Sequence, residues 1–187
     1  MTDRHTSYAG SPLRYAGTDL DRAGVQRKDP QWIAAQFARS DTLLVPVWRN
    51  RNLVAGMQSN ALSPTAVAHS RTLGEALIAA AVEPVFLGLR DALATFALDI
   101  SASGEAHAEL LGAGDQFVDL RVAGPLLNAG DAALCAYARG ITYWRRHNRF
   151  CNECGHATRS EQGGHVRKCS SCEHVNFPRT DPAVIML

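Results

Sequence analysis

The chain has 187 residues, 46% of them hydrophobic and 20% charged, with a net charge of +1. That suffices for one medium domain with an ordinary core and a small appendage. The near-neutral balance excludes a general attraction to nucleic acid or membrane surfaces, and no apolar run approaches the roughly 18 residues of a membrane span.

Residues 1–28 are polar and rich in Gly, Ser, Asp and Arg, the composition of an extended segment. Asp29-Pro30 then marks a helix start, with Asp at the N-cap and Pro in the first turn. Trp32, Ile33 and Phe37 give that short helix an apolar face, and it ends near Ser40. Thr42 to Trp48 reads as a strand. Pro46 within it lacks an N–H, which assigns the strand to an edge or a bulge. Arg49 to Asn52 form a turn and Leu53-Val54 a short return strand.

Residues 55–71 lack a pattern and are expected to be loop. Thr72 to Val82 predicts a short helix with Leu73, Leu77 and Ile78 on its apolar face. Val85 to Leu89 and Thr95 to Ile100 form the clearest hairpin, turning at Arg90-Asp91-Ala92. After a loop at Ser101 to Glu105, Phe117 to Arg121 reads as another short strand, broken by Gly124-Pro125. Asp131 is the expected N-cap of the longest helix, Ala132 to about His147. Leu134, Cys135, Ala138, Ile141, Thr142 and Trp144 make its apolar stripe. Arg139, Arg145 and Arg146 are assigned to the other side and to the C-terminal end, where cations suit the helix dipole. Cys135 lies among small apolar residues and reads as a buried hydrophobe rather than a nucleophile.

The strongest chemical signal follows. Cys151 and Cys154 form one Cys-x-x-Cys pair, Cys169 and Cys172 a second, with 14 residues between them. Each two-residue gap lets a tight turn aim both sulfurs at one point. Two turns joined by a hairpin place four thiolates at the corners of a tetrahedron, the geometry of a structural Zn²⁺ with Zn–S near ~2.3 Å. Gly155 fits a knuckle turn and Gly163-Gly164 a hairpin tip. Two disulfides would need an oxidising compartment, and the N-terminal residues resemble no export signal, so a reducing cytoplasm is expected. A redox Cys-x-x-Cys would sit between a strand and a helix and occur once. His156, His165 and His174 could replace a cysteine, but with four thiolates matched they read as surface residues or residues behind the ligands. From Arg145 to Arg179 seven Arg and Lys stand against three Glu, a local +4. Ala183 to Leu187 is a buried-strand pattern, read as the opening strand of a further domain.

Three segments together resemble the NADH pyrophosphatase branch of the Nudix hydrolases. They are Phe150-Cys-Asn-Glu-Cys-Gly-His156, Cys169-Ser-Ser-Cys172 and Phe177-Pro-Arg-Thr-Asp-Pro-Ala-Val-Ile-Met-Leu187. Upstream, Asp19-Leu-Asp-Arg22, Arg27-Lys-Asp-Pro30 with Trp32, Val47-Trp-Arg49, Phe86-Leu-Gly-Leu89 and Ala136-Tyr-Ala-Arg139 through Trp144 look like the family's N-terminal domain. The resemblance implies an α+β chain: an N-terminal mixed α/β Nudix-like domain followed by a small four-cysteine zinc ribbon. The segments would be 1–28 extended, 29–147 Nudix-like, 148–178 ribbon and 179–187 the start of the catalytic Nudix domain.

The family hydrolyses the pyrophosphate of NAD(H) to NMN(H) and AMP and also acts on NAD-capped RNA, so a dinucleotide, capped RNA and a second copy in a homodimer are the implied partners. Phe177 stands where the family commonly carries Tyr, a ring that looks placed to contact the dinucleotide; a core aromatic under the ribbon is the alternative. The family's chemistry sits in a Nudix box whose glutamates hold Mg²⁺ or Mn²⁺. These 187 residues contain no Arg-Glu and no Glu-Glu dipeptide, and the seven glutamates are scattered. The chain alone is therefore expected to be structural and dimerising. The competing reading is a zinc-ribbon nucleic-acid-binding or protein-docking module, in which Phe150, Phe177 and Arg179 stack bases and Arg167 and Lys168 meet phosphates.

Overall fold

A computed structural model describes residues 15–57, 64–70, 74–104, 111–112 and 114–179. The apolar strand expected at Ala183 to Leu187, and Thr72 and Leu73 of the predicted helix, lie outside the described residues.

The first unit is built on a seven-stranded mixed sheet. Helix α1 (Pro30–Ala38) leads into β1 (Leu43–Trp48) and β2 (Arg51–Ala55). The Asp29 side chain accepts from Gln31 N at 2.8 Å, so the predicted N-cap is in place. Arg49 and Asn50 both take positive φ and form the two-residue hairpin turn between β1 and β2. Two strands of two residues each follow, β3 (Thr65–Ala66) and β4 (His69–Ser70), where an unpatterned loop was expected. Each is too short to carry an alternating signature; β3 pairs with β2 and β4 with β1. Helix α2 (Glu75–Ala80), β5 (Val82–Arg90) and β6 (Leu93–Asp99) come next. The expected β5–β6 hairpin turns at Asp91 and Ala92, again both at positive φ.

The main strand order is β3-β2-β1-β6-β5, and β1 runs parallel to β6. Pro46 therefore does not mark an edge strand: β1 has neighbours on both sides. Val47 O accepts from Ile100 N at 3.0 Å on the β6 side, so by alternation the Pro46 nitrogen faces the other side. There the β4 ladder stops at Leu44 and the β2 ladder begins at Val47. Pro46 sits in the gap between them, where no N–H is required.

Strands β1, β5 and β6 are apolar at almost every position because both sheet faces are covered. Val45, Val47, Val85, Leu87 and Ala97 pack on one face against Leu134, Ala138 and Ile141 of α4 (Ala129–His147). Leu44, Phe86, Phe96 and Leu98 alternate onto the other face, against Trp32, Ile33, Phe37 and Leu77 of α1 and α2. Trp32 meets Phe86 edge-on at 5.4 Å and Phe86 meets Phe96 at 5.3 Å. Of the N-terminal segment, Asp21 exchanges two main-chain hydrogen bonds with Leu89 at 2.9 and 2.8 Å and lies along β5.

Three further details depart from the sequence reading. β7 (Gln116–Asp119), paired with β2, ends at Asp119, and Leu120–Ala123 is a helical turn, α3, rather than the end of a strand. The Asp119 side chain accepts from Arg121 N at 2.9 Å and starts that turn. Helix α4 begins three residues earlier than expected: Asn128 is its N-cap, accepting from Asp131 N at 2.9 Å. Asp131 is buried in the first turn and pairs with Arg90. Finally, Arg145 is not on the solvent side of α4 but buried, because Glu83 on β5 supplies both a carboxylate and a main-chain carbonyl for its guanidinium. Cys135 is buried as predicted, and burial pushes its thiol up to about 12.

The second unit is a three-stranded antiparallel ribbon of β8 (Thr158–Glu161), β9 (Val166–Cys169) and β10 (Val175–Asn176), ordered β10-β9-β8. It follows α4 directly.

Candidate functional site

The two Cys-x-x-Cys turns are built alike. Cys151 N donates to His156 O and Cys169 N donates to His174 O, each at 2.8 Å and each five residues on. The residue after each second cysteine takes positive φ: Gly155 at 75° and Glu173 at 61°. The chain thus turns back on itself after each pair and leaves main-chain N–H groups facing sulfur. Glu153 N donates to Cys151 Sγ at 3.4 Å, while Ser171 N and Cys172 N donate to Cys169 Sγ at 3.3 and 3.4 Å. Hydrogen bonds to sulfur favour the thiolate. Those from Cys172 and Ser171 bring the Cys169 thiol down to about 6.

Cys151, Cys154, Cys169 and Cys172 converge, with all four sulfurs within 4.8 Å of one another. The Cys151–Cys172, Cys154–Cys169 and Cys154–Cys172 separations are 3.6, 3.4 and 3.3 Å. A tetrahedron with Zn–S of ~2.3 Å has edges of about 3.8 Å, so the donor set fits a metal ion of zinc's size. A disulfide needs about 2.05 Å, and all five cysteines are free. Among the described residues no histidine belongs to this cluster. His156 is exposed and His174 contacts Asn176 Oδ1 at 3.1 Å.

His165, expected at the surface or behind the ligands, is instead buried at the tip where the ribbon meets the sheet. Its Nε2 lies 2.7 Å from Phe86 O and 3.1 Å from the Tyr137 hydroxyl. Gly163 and Gly164 form the predicted hairpin tip, and the tip is pressed into the first unit. A Cβ on Gly163 would stand 3.0 Å from Ile33 and Phe86, and one on Gly164 would stand 2.9 Å from Val85. Arg167 is also buried. It donates to Thr158 Oγ1 and O at 2.9 and 2.7 Å and to Glu83 Oε2 at 3.3 Å. Lys168 pairs with Glu173.

Between α4 and the ribbon lies a groove of about 970 Å³, walled in part by Tyr137, Trp144, His165, Val175, Phe177 and Arg179. Phe177 is 58% exposed, so it is not a core aromatic under the ribbon. Phe177 and Arg179 share this groove; Phe150, 60% exposed, is not part of its wall. On the opposite side Arg22 stacks over the Tyr137 ring at 3.7 Å. Arg22, Arg27 and Tyr137 lie in segments that carry the family resemblance, but sequence does not mark them as groove residues, because they meet only through packing of the N-terminal segment against α4. No helix among the described residues is long and apolar enough to cross a membrane.

A family model for the NADH pyrophosphatase-like rudimentary NUDIX domain matches residues 41–144, more than half of the chain. The chain is 34% identical over 109 residues to a NAD-capped RNA hydrolase of Schizosaccharomyces pombe, covering 49% of this chain and 29% of that protein. It is 34% identical over 116 residues to Nudix hydrolase 19, chloroplastic, of Arabidopsis thaliana, covering 55% and 26%. It is 37% identical over 54 residues to the NAD-capped RNA hydrolase NudC of Pseudomonas aeruginosa, covering 29% and 19%. The matched segments thus span less than a third of each of these relatives. A mixed α/β domain that carries the family's pattern, followed by a ribbon with four clustered cysteines, is what the comparisons and the geometry share: the chain belongs to the NADH pyrophosphatase-like branch of the Nudix family.

Proposed function

We propose that this chain is the N-terminal and zinc-ribbon portion of an NADH pyrophosphatase. The observation that carries the reading is the direct junction of a family-matched domain with four thiols at tetrahedral spacing. In this reading residues 1–28 are the N-terminal segment, not extended throughout because Gln26–Lys28 form a turn of 3-10 helix, 29–147 are the Nudix-like domain and 148–178 the ribbon, and 179–187 lead into the catalytic Nudix domain. The whole enzyme hydrolyses the NAD(H) pyrophosphate to NMN(H) and AMP and, as the names of the relatives support, removes NAD caps from RNA. It works in the cytoplasm as a homodimer.

Cys151, Cys154, Cys169 and Cys172 hold one Zn²⁺. Four thiolates fill the coordination sphere and leave no position for water, so the ion would supply rigidity and not chemistry. Phe177, with its exposed ring beside the groove, stacks on part of the dinucleotide. Mg²⁺ or Mn²⁺ belongs to glutamates of the catalytic domain. No Arg-Glu or Glu-Glu dipeptide occurs in these 187 residues, and the described residues offer no other cluster of ligands for a metal.

The 187-residue chain incubated with NADH and Mg²⁺ or Mn²⁺ is expected to release no NMNH. Turnover that follows the purified chain through successive columns would overturn this. The competing nucleic-acid or docking reading loses direct surface contact through two of its cations: Arg167 is buried against Thr158 and Glu83, and Lys168 is paired with Glu173, while Arg179 stays exposed.

A further inference from the structure

A second cavity, of about 370 Å³, lies on the other side of α4 from the groove, between the sheet and the ribbon. Its charged wall residues are Arg145, Arg146, Arg149 and Arg167 against Glu83 and Asp99, a surplus of two positive charges. The cations come from different elements: three from the end of α4 and the residues just after it, one from β9.

Two of these guanidinium groups are buried. The side chains of Arg145 and Arg167 are each only 9% exposed, and both bond to the same carboxylate oxygen, Glu83 Oε2. One carboxylate cannot neutralise two buried guanidinium ions, and burying an uncompensated charge is costly. Arg145 Nε is moreover buried with no hydrogen-bond partner among the described residues. Arg146 is engaged with Asn50 and Ser101 at 2.7 and 3.0 Å and lies 3.5 Å from Asp99. Arg149 is exposed; its main-chain oxygen accepts from Thr158 N at 2.9 Å, and the one described contact of its guanidinium is the Phe150 ring at 6.0 Å, so its side-chain donors are available.

We propose that this cavity is a binding site for a phosphate monoester dianion. The charge surplus matches a dianion, and the planar fork of the exposed Arg149 guanidinium matches a pair of phosphate oxygens. The volume lies within the range of small-ligand sites and accommodates a phosphate with an attached sugar. Arg149 closes over the ligand from the solvent side, while Arg145 and Arg167 supply the fixed charge beneath. The ligand ties α4 and the sheet to the ribbon. The site is independent of the dinucleotide reading and does not involve the groove lined by Phe177.

The 187-residue chain, in a phosphate-free buffer, is titrated with inorganic phosphate, adenosine 5′-monophosphate and adenosine, read by calorimetry and by thermal melting. The expected result is saturable one-to-one binding of both phosphates, no binding of adenosine, and a rise in melting temperature with either phosphate. Equal affinities would assign the site to phosphate itself, and tighter monophosphate binding would assign it to a mononucleotide. Arg149→Ala is expected to weaken binding about tenfold or more, with Arg149→Lys between. Arg121→Ala, at a remote exposed arginine, should leave it unchanged. The proposal is overturned by any of three results: no saturable binding of either phosphate, equal losses in the Arg149 and Arg121 variants, or a 5′-hydroxyl oligoribonucleotide binding where both phosphates fail.

Discussion

His165 Nε2 lies 2.7 Å from the main-chain oxygen of Phe86, so a residue of the ribbon donates directly to a buried strand 79 positions earlier. That bond requires a proton on Nε2, and burial disfavours a second proton on the ring. Burial, with Arg27, Arg22 and Arg145 adding repulsion, pushes His165 down to about 4 from an ordinary 6.5, against the raising effect of the Phe86 carbonyl. The unfolded chain therefore binds more protons between those values. Stability from this group is fully present above about pH 6.5 and is lost as pH falls toward about 4, by at most about 3 kcal/mol. Metal release adds its own acid dependence, so the isolating comparison is with His165→Gln, which can still donate to Phe86. Urea unfolding at pH 7 and pH 5 should show a smaller drop for the glutamine variant; equal drops would remove His165 as the cause.

Chelation should act on four thiols and spare the fifth. The native chain is expected to carry about one Zn²⁺, and a strong chelator should release it while four cysteines become reactive toward a thiol reagent. Cys135, buried and with its thiol pushed up to about 12, should react only after denaturation. Cys169→Ser removes the sulfur that collects two main-chain N–H groups and is expected to abolish stoichiometric zinc. Five reactive thiols before denaturation would contradict the burial of Cys135.

The cysteine cluster and His165 differ in how far the sequence shows them. The cysteine pairs are local, each set by a two-residue gap, so their convergence could be read from spacing. The hairpin of β5 and β6 was likewise visible, because its turn at Asp91-Ala92 and both strands are contiguous. What escaped was every feature made by packing between distant segments. With four thiolates matched, sequence puts His165 at the surface or behind the ligands, and the helix pattern puts Arg145 on the outer side or at the C-terminal end of α4. Only Phe86 and Glu83, brought in by the sheet, make their burial tolerable. Pro46 reads as an edge or bulge signal because a single sequence cannot show that two short ladders, ending at Leu44 and starting at Val47, would leave a gap beside it.

The docked hairpin tip gives a steric prediction. Gly164 has φ of 98° and a Cβ there would lie 2.9 Å from Val85 Cγ1, whereas Gly155 has φ of 75° and open space around it. Gly155→Ala should cost only the left-handed backbone penalty, about 1 kcal/mol. Gly164→Ala adds overpacking against the β5 core and should cost about 2–4 kcal/mol. Denaturant midpoints of the two variants should therefore separate clearly. Equal midpoints would mean that the tip does not press on Val85.

Asp131 is the N-cap expected from sequence and Asn128 the one observed, and substitution distinguishes the two assignments. Asn128 is the true cap, and its loss in Asn128→Ala removes one acceptor for Asp131 N, about 1 kcal/mol. Asp131 does more than begin a helix. It accepts from Ala66 N at 3.1 Å and from Asn128 Nδ2 at 3.0 Å, and it meets the Arg90 guanidinium at 3.3 Å, while itself only 6% exposed. Asp131→Ala leaves a main-chain N–H of β3 and part of the Arg90 charge without an acceptor, so its cost should exceed that of Asn128→Ala, reaching about 2–3 kcal/mol. If Asp131 were the cap and Asn128 incidental, Asn128→Ala would be silent. The unfolding free energies of the two single variants, measured in the same denaturant series, decide between these assignments.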